Sequence, residues 1–342
     1  MADQEYETAV TATSPSLALP VTDGALEARL RTRLAEVEQA LAQHVVSEAP
    51  FVTEAARHLL QAGGKRFRPL LVLLAAELGD PSGDDIVTAA CVVELTHLAS
   101  LYHDDVMDEA DLRRGAASAN ARWDNLVAIL TGDWLFGKSS ELTADLGADA
   151  VRIQAQTFNR LVEGQILETL GPQPGDDPLE HYLRVVAGKT GSLIATSALY
   201  GARFAGAPQE VVEALTAYGE KVGVAFQLSD DILDVTSDSD ESGKTPGTDL
   251  REGVATLPVL LARRSGAAAD DRLKELLGAD LSDDARHAET LALLRAHPAI
   301  GEARAYVERL AREAQEHLAV LPAGPARQAL HDFAEVVATR TA

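Results

Sequence analysis

Cysteine, aromatic side chains and positive charge are all scarce in this sequence. Cys91 is the only cysteine among 342 residues, which excludes an internal disulfide framework and a thiolate metal centre. On an apolar helix it reads as a buried structural thiol. Aromatic residues make up 4% of the chain, and Ala and Leu dominate the apolar set, which favours helix over sheet. Lys and Arg number 30 against 53 Asp and Glu, for a formal net charge of −23. So acidic a chain argues against a nucleic-acid backbone as partner and makes any basic site a local exception. No apolar run reaches the roughly 18–20 residues that cross a bilayer, and MADQEYETAVTATSPSLALP lacks the basic-then-apolar pattern of a secretory signal. The expectation is a soluble cytoplasmic protein. Nucleotide-cradling glycine loops, a Ser-His-Asp context and solenoid repeats are also missing.

What the sequence does have is acid in a repeated arrangement. The stretch from Cys91 to Gly115 begins as an apolar helix and ends in Asp104, Asp105 and Asp108, a D-D-x-x-D. Residues four apart share a helical face, so Asp104 and Asp108 point the same way. Like charges at that spacing cost a helix roughly 0.2–0.5 kcal/mol, which a cation between them would relieve. Oxygen-only ligands of this kind suit Mg²⁺ together with a substrate's phosphates. A lone D-D-x-x-D reads more simply as a solvated helix end. A second copy, Asp230, Asp231 and Asp234, ends another apolar helix. If the two helices pack side by side, the carboxylates face each other across a bundle cavity, where metal sites are built.

Residues 1–22 are Thr/Ser/Pro-rich and read as a disordered tail, and residues 23–342 as one all-α domain. Helices are expected at about 24–44, 51–61, 69–78, 85–110, 119–146, 149–170, 179–206, 208–235 and 252–264, with four more to residue 340. Gly188-Lys189-Thr190-Gly191 is expected to kink the seventh. The segments 111–118 and 237–247 read as loops, and no strand alternation is evident. The most basic spot is Gly63-Gly64-Lys65-Arg66-Phe67-Arg68-Pro69, a glycine-rich turn entering a helix and a plausible anion site. Lys65, Arg68, His97, Arg113, Arg114, Lys189, Gln227 and Lys244 complete the polar groups expected near the acidic pair. His97 lies two turns before Asp104; by itself it reads as a core histidine, and in this company as a phosphate donor.

In this order, these segments resemble the trans-isoprenyl diphosphate synthases, or polyprenyl synthetase family, over about residues 25–340. The likeness rests on Gly63–Pro69, on His103-Asp104-Asp105-Val106-Met107-Asp108 with Arg113-Arg114-Gly115, and on Gly132-Asp133. It continues through Lys189-Thr190, Phe226-Gln227-Leu228 with Asp230 to Asp234, and Gly243-Lys244 with Asp249-Leu250-Arg251-Glu252-Gly253. The resemblance implies a single large bundle of antiparallel helices around a deep central cavity, usually a homodimer. It implies that Asp104, Asp105, Asp108, Asp230, Asp231 and Asp234 hold Mg²⁺, three ions with the allylic diphosphate. It assigns that diphosphate to Arg113, Lys189, Thr190, Gln227 and Lys244, and the isopentenyl diphosphate to Lys65, Arg68, His97 and Arg114. The implied reaction is head-to-tail condensation of farnesyl or geranylgeranyl diphosphate with isopentenyl diphosphate, with transient membrane contact as a lipophilic product leaves.

Chain length is read from the helix above Asp104. Ala99 and Ser100 lie one turn away, Leu95 and Thr96 two turns away. Members that stop at farnesyl or geranylgeranyl diphosphate typically carry an aromatic in the first of these turns. Its absence here, and the compact first acidic motif, point to an all-trans product in the heptaprenyl to nonaprenyl range, with a geranylgeranyl or farnesyl synthase as the main alternative. Tyr102, two residues before Asp104, should point off the cavity face. Rival readings are a terpene cyclase, which would not need the basic second site, and a non-catalytic synthase subunit, which would have lost an acidic motif. A metal-binding acidic bundle without activity would leave the ordered cations unexplained.

Overall fold

Aspartates set several of the helix starts. Asp23, Asp124, Asp177 and Asp283 each accept a hydrogen bond from a backbone N–H in the first turn, at 2.7, 2.7, 2.9 and 2.9 Å. Such caps contribute about 0.5–2 kcal/mol each. The computed structural model describes residues 17–237 and 246–340. The chain runs α1 (Gly24–His44), α2 (Pro50–Gln61), α3 (Phe67–Ala76), α4 (Asp84–Met107), a two-strand ribbon of β1 (Leu112–Arg113) and β2 (Ala116–Ala117), α5 (Ala119–Arg122), α6 (Asn125–Asp145) and α7 (Ala148–Leu170). It continues with α8 (Pro178–Val186), a π-helical turn (Ala187–Gly191), α9 (Ser192–Phe204), α10 (Gln209–Thr236), α11 (Thr248–Arg251), α12 (Leu257–Arg264), α13 (Asp271–Leu277), α14 (Asp284–Ala296), α15 (Ala299–His317) and α16 (Pro325–Thr339).

Helix α4 runs through the middle, against α1, α3, α6 and α9, and α10 packs on α9 and α15. Its residues Cys91 to Thr96 are buried without interruption. By length and composition α4 could span a bilayer, contrary to the expectation from the sequence, but 72% of its apolar window is buried inside the protein. It is a core helix. Glycines let neighbouring backbones close in. A Cβ on Gly201 would fall 2.1 Å from the Val72 carbonyl of α3, and one on Gly132 would fall 2.4 Å from the His103 ring of α4. A smaller apolar cluster, including Leu250, Val259, Leu273 and Leu294, lies under α11–α14.

Several expected boundaries move. The segment 111–118 is not a plain loop: Leu112 pairs with Ala117 and Arg113 with Ala116 in an antiparallel ribbon turned by Arg114-Gly115. Two residues are too short for alternation to register in a sequence. The expected single helix 119–146 breaks at Trp123-Asp124, where Asp124 turns extended to cap α6. Asp108 is the C-cap of α4 rather than a helical residue. The expected helix 252–264 begins only at Leu257. Helix α3 starts two residues before Pro69, behind Arg66 in the left-handed conformation (φ 47°). The expected kink in 179–206 is the π-helical turn, which carries Lys189 and Thr190.

Candidate active site

The first acidic motif ends α4. Asp105 is fully buried, and Arg113, presented by β1, donates from Nε to its Oδ1 at 2.5 Å, while Arg113 Nη2 lies 3.8 Å from Asp108. The other oxygen of Asp105 is buried without a hydrogen-bond partner. Asp104 faces the cavity. Burial raises its carboxyl to about 6, with Lys189 opposing the rise and Asp108 adding to it.

The second motif ends α10. Asp231 is buried and doubly held: the Tyr182 hydroxyl of α8 donates to Oδ2, and Gln227 Nε2 donates to Oδ1 at 3.0 Å. Burial, then Asp249, Asp234 and Glu168, push its carboxyl well above the usual range. Asp234 accepts from the Thr248 and Asp249 backbone N–H groups, both at 3.2 Å. Asp230 pairs with Arg340, at 2.8 Å, whose guanidinium also lies 4.0 Å from the Phe226 ring centroid.

Glu168 of α7 links the two motifs. Lys189 donates to it at 2.5 Å, and Asp104 and Asp231 both feel the Glu168 charge. Two glycines permit this: a Cβ on Gly164 would meet the Lys189 backbone nitrogen at 2.6 Å and one on Gly188 the Arg160 carbonyl at 2.8 Å, so only glycine lets α7 lie against the π-helical turn. The Thr190 hydroxyl donates to Gln227 Oε1 at 3.2 Å, tying that turn to α10. The sequence therefore placed Asp104, Lys189, Thr190, Gln227 and Asp231 in one assembly. It missed Glu168 and Tyr182, which carry no local signal: each matters only through a residue on another helix. Lys244 lies outside the described residues.

The basic turn is a second, separate assembly. Arg66 is buried and latches it, pairing with Glu94 of α4 at 2.9 Å and Glu38 of α1 at 2.5 Å, and donating to the Leu60 carbonyl at 2.9 Å. Arg114 donates to the carbonyls of Leu59, at 3.1 Å, and Gly63. A Cβ on Gly64 would fall 2.8 Å from the Arg114 guanidinium. Arg68 has a buried Nε without a partner, and burial, reinforced by Arg114 and opposed by Glu94, lowers its guanidinium to about 10. His97 is held neutral, well below its usual value, by burial and then by Arg68, Arg114, Arg113 and Arg66. Arg68, His97 and Arg114 thus form an electropositive cluster, and Lys65, in the same turn, is exposed.

Beside Asp104 opens an apolar cavity of about 360 Å³ between α4, α6 and α7, lined in part by Ser100, Phe136, Phe158, Val162 and Ile166. The Phe136 and Phe158 rings meet with centroids 4.5 Å apart. The aromatic missing from α4 is thus supplied by two neighbouring helices, which the sequence around Asp104 could not reveal. Ala99 and Leu95 are fully buried but do not line this cavity. Thr96 bonds to Ser139 and Gln154 instead. Tyr102 points away as expected, donating to the Ala55 carbonyl of α2 at 2.5 Å.

The model of the polyprenyl synthetase family matches residues 49–294. The chain belongs to this family. It is 47% identical over 319 residues to the nonaprenyl diphosphate synthase of Mycobacterium tuberculosis, covering 93% of this chain and 95% of that protein. The geranylgeranyl pyrophosphate synthase of Corynebacterium glutamicum, complexed with calcium and isoprenyl diphosphate, is 44% identical and superposes with a TM-score of 0.86 over 94% of this chain and 99% of that one. A decaprenyl diphosphate synthase from Rhodobacter capsulatus superposes at 0.85 with 36% identity, over 93% and 99%. This member of the polyprenyl synthetase family has the isoprenoid synthase fold and is a prenyltransferase, a trans-prenyl diphosphate synthase.

Proposed function

We propose that this enzyme elongates farnesyl or geranylgeranyl diphosphate by repeated condensation with isopentenyl diphosphate, to an all-trans chain in the heptaprenyl to nonaprenyl range. The observation that carries this reading is the pairing of two acidic helix ends, coupled through Glu168 and its partner Lys189 at an apolar cavity, with a second, cationic cluster of Arg68, His97 and Arg114. One assembly suits a diphosphate that leaves, the other a diphosphate that stays.

The donor set fits a hard divalent cation: it is all oxygen, and burial raises Asp104 and Asp231 with too little positive charge nearby to compensate. Asp104, Asp105, Asp108, Asp230, Asp231 and Asp234 would hold it, with Asp105 already oriented by Arg113, Asp230 by Arg340, Asp231 by Tyr182 and Gln227, and Asp234 by the Thr248 and Asp249 N–H groups. Mg²⁺ held there, three ions with the allylic diphosphate, would supply charge neutralisation at the leaving group. Arg113, Lys189, Thr190, Gln227 and Lys244 bind and orient that diphosphate. Arg68, His97 and Arg114, with Lys65 at the rim, hold isopentenyl diphosphate so that its double bond lies against the allylic carbon. The allylic C–O bond breaks, the new C–C bond forms, and the proton lost goes to the departing diphosphate. The apolar lining of the cavity disfavours water beside the carbocation.

Relatives named for long chains, and the small Ser100 that lines the cavity, support the long product. The Phe136–Phe158 pair supports a second reading, a geranylgeranyl or farnesyl product, as does the likeness to a geranylgeranyl synthase. Exposed Leu126 and Leu130 on α6 support the homodimer. We place the enzyme in the cytoplasm, with transient membrane contact during product release. The test is product analysis with Mg²⁺, isopentenyl diphosphate and either allylic primer. Chains well beyond geranylgeranyl support the long-chain reading, a stop there selects the second, and hydrocarbon without elongation sinks both.

A further inference from the structure

The last helix, α16, reaches both diphosphate assemblies. Arg340 caps its C-terminal end and reads one face of α10. Arg340 Nε donates to Ser229 Oγ at 2.8 Å, and Nη2 donates to the Phe226 carbonyl at 2.7 Å and to Asp230 Oδ1 at 2.8 Å. Ser229 and Asp230 lie three and four residues after Phe226, so all three share that face. The same guanidinium lies 4.0 Å from the Phe226 ring centroid. Ser229 is fully buried. A rigid planar fork can meet a hydroxyl, a carbonyl, a carboxylate and a ring face together, and a lysine ammonium in its place could not.

The ring beneath Arg340 packs with Phe67 and Phe333. Phe226 stacks on Phe67 of α3, with centroids 5.4 Å apart and planes at 10°. Phe67 meets Phe333 of α16 at 4.9 Å. Phe333 is buried, and the Tyr218 hydroxyl of α10 donates to the Leu330 carbonyl of α16 at 2.7 Å, so the two helices are tied beside the rings. Phe67 itself follows Arg66, the latch of the basic turn, and precedes Arg68 of the cationic cluster. Packed rings leave little slack, so a shift of Phe226 displaces Phe67 and the backbone that carries Arg68.

We propose that Arg340 is a positioning residue for both substrates: it fixes Asp230 in the acidic assembly and, through the Phe226–Phe67 stack, sets the basic turn that carries Arg68. The proposal rests on the reading of that turn as part of the isopentenyl diphosphate site. It makes order in one site favour binding in the other, as any shared positioning element must.

The test is steady-state kinetics of the first addition, varying Mg²⁺ and isopentenyl diphosphate, for the wild type, Arg340→Met, Phe67→Leu, the double variant and Arg68→Met. Thermal melts check folding. Arg340→Lys, which keeps the charge but not the fork, replaces Arg340→Met if the latter is unfolded at the assay temperature. Arg340→Met is expected to raise the half-saturating Mg²⁺ by about 10–100-fold and the KM for isopentenyl diphosphate by at least about 5-fold, with kcat largely regained at saturation. Phe67→Leu is expected to raise the same KM, and the double variant to be no worse than the worse single one, as for members of one coupled path. An unchanged KM for isopentenyl diphosphate in Arg340→Met, or single effects that simply multiply in the double variant, would overturn the link to the basic turn. A lower kcat with both half-saturation values unchanged would leave Arg340 only a folding role. Arg68→Met with a wild-type KM sinks instead the assignment of isopentenyl diphosphate to the cationic cluster.

Discussion

The Tyr182 hydroxyl donates to Asp231, joining the helix before the π-helical turn to the second acidic motif. Gln227 donates to the other oxygen of the same carboxylate. Held at both oxygens, Asp231 keeps its orientation without metal, and groups that orient a metal site typically govern about 10–100-fold of metal affinity. Tyr182→Phe should raise the Mg²⁺ concentration for half-maximal activity by about that factor, with activity largely regained at saturating Mg²⁺. An unchanged Mg²⁺ titration would show that this hydroxyl does nothing for the metal site.

The buried pair Arg66–Glu94 holds the basic turn against α4. Removing Glu94 leaves the buried Arg66 with Glu38 and the Leu60 and Gly63 carbonyls only, so the cost should lie at or below the low end of the about 3–5 kcal/mol of a broken buried pair. Glu94→Leu should lower the melting temperature sharply, and Arg66→Met combined with Glu94→Leu should recover much of the loss. Denaturant unfolding of both variants measures this. Equal stability of wild type and Glu94→Leu would mean that Glu38 alone satisfies Arg66.

Ser100, not Ala99, lines the cavity, and the Ala99 carbonyl faces Gly132 of α6. Ser100→Phe should therefore shorten the product. Ala99→Tyr should mainly overpack the α4–α6 contact, costing about 1–3 kcal/mol. Product chromatography and thermal melts of the two variants separate these effects. A short product from Ala99→Tyr in a protein of wild-type stability would place Ala99 on the tail's path after all.

Asp104 is raised to about 6 by burial, and burial also raises Asp231 well above the ordinary carboxylate range. The native state without metal therefore binds these protons more tightly than the unfolded chain does. Its stability should rise as pH falls from about 7 toward the ordinary carboxylate range near ~4. Mg²⁺ competes with the same protons, so its affinity should fall about tenfold per pH unit below pH ~6 for each proton displaced. Melting curves against pH, with and without Mg²⁺, test both signs. A metal-free melting temperature that drops steadily from pH 7 to 5 would contradict the raised carboxyls.

Asp104→Ala removes the carboxylate that faces both Lys189 and the cavity. Turnover should fall by at least about 10³-fold, roughly 4 kcal/mol in the barrier, while the helical circular dichroism stays the same. Near-normal turnover would remove Asp104 from the metal site.

The sequence by itself determined the fold class and both acidic motifs. Helix formers, aspartate caps and the four-residue spacing of Asp104 with Asp108 are local properties, legible along one strand of text. The ordered cations were legible too, because diphosphate chemistry needs arginine and lysine at turns and helix ends. The tertiary structure alone decided which groups meet. Arg113 with Asp105, Tyr182 with Asp231 and Lys189 with Glu168 join residues from different elements. Gly132 and Gly164 set how closely those elements approach, through the absence of a side chain. The floor of the cavity came from Phe136 and Phe158 on two other helices, not from the residues beside Asp104. Periodicity records which face of a helix is buried, but not which side chain on a neighbouring helix will press against it.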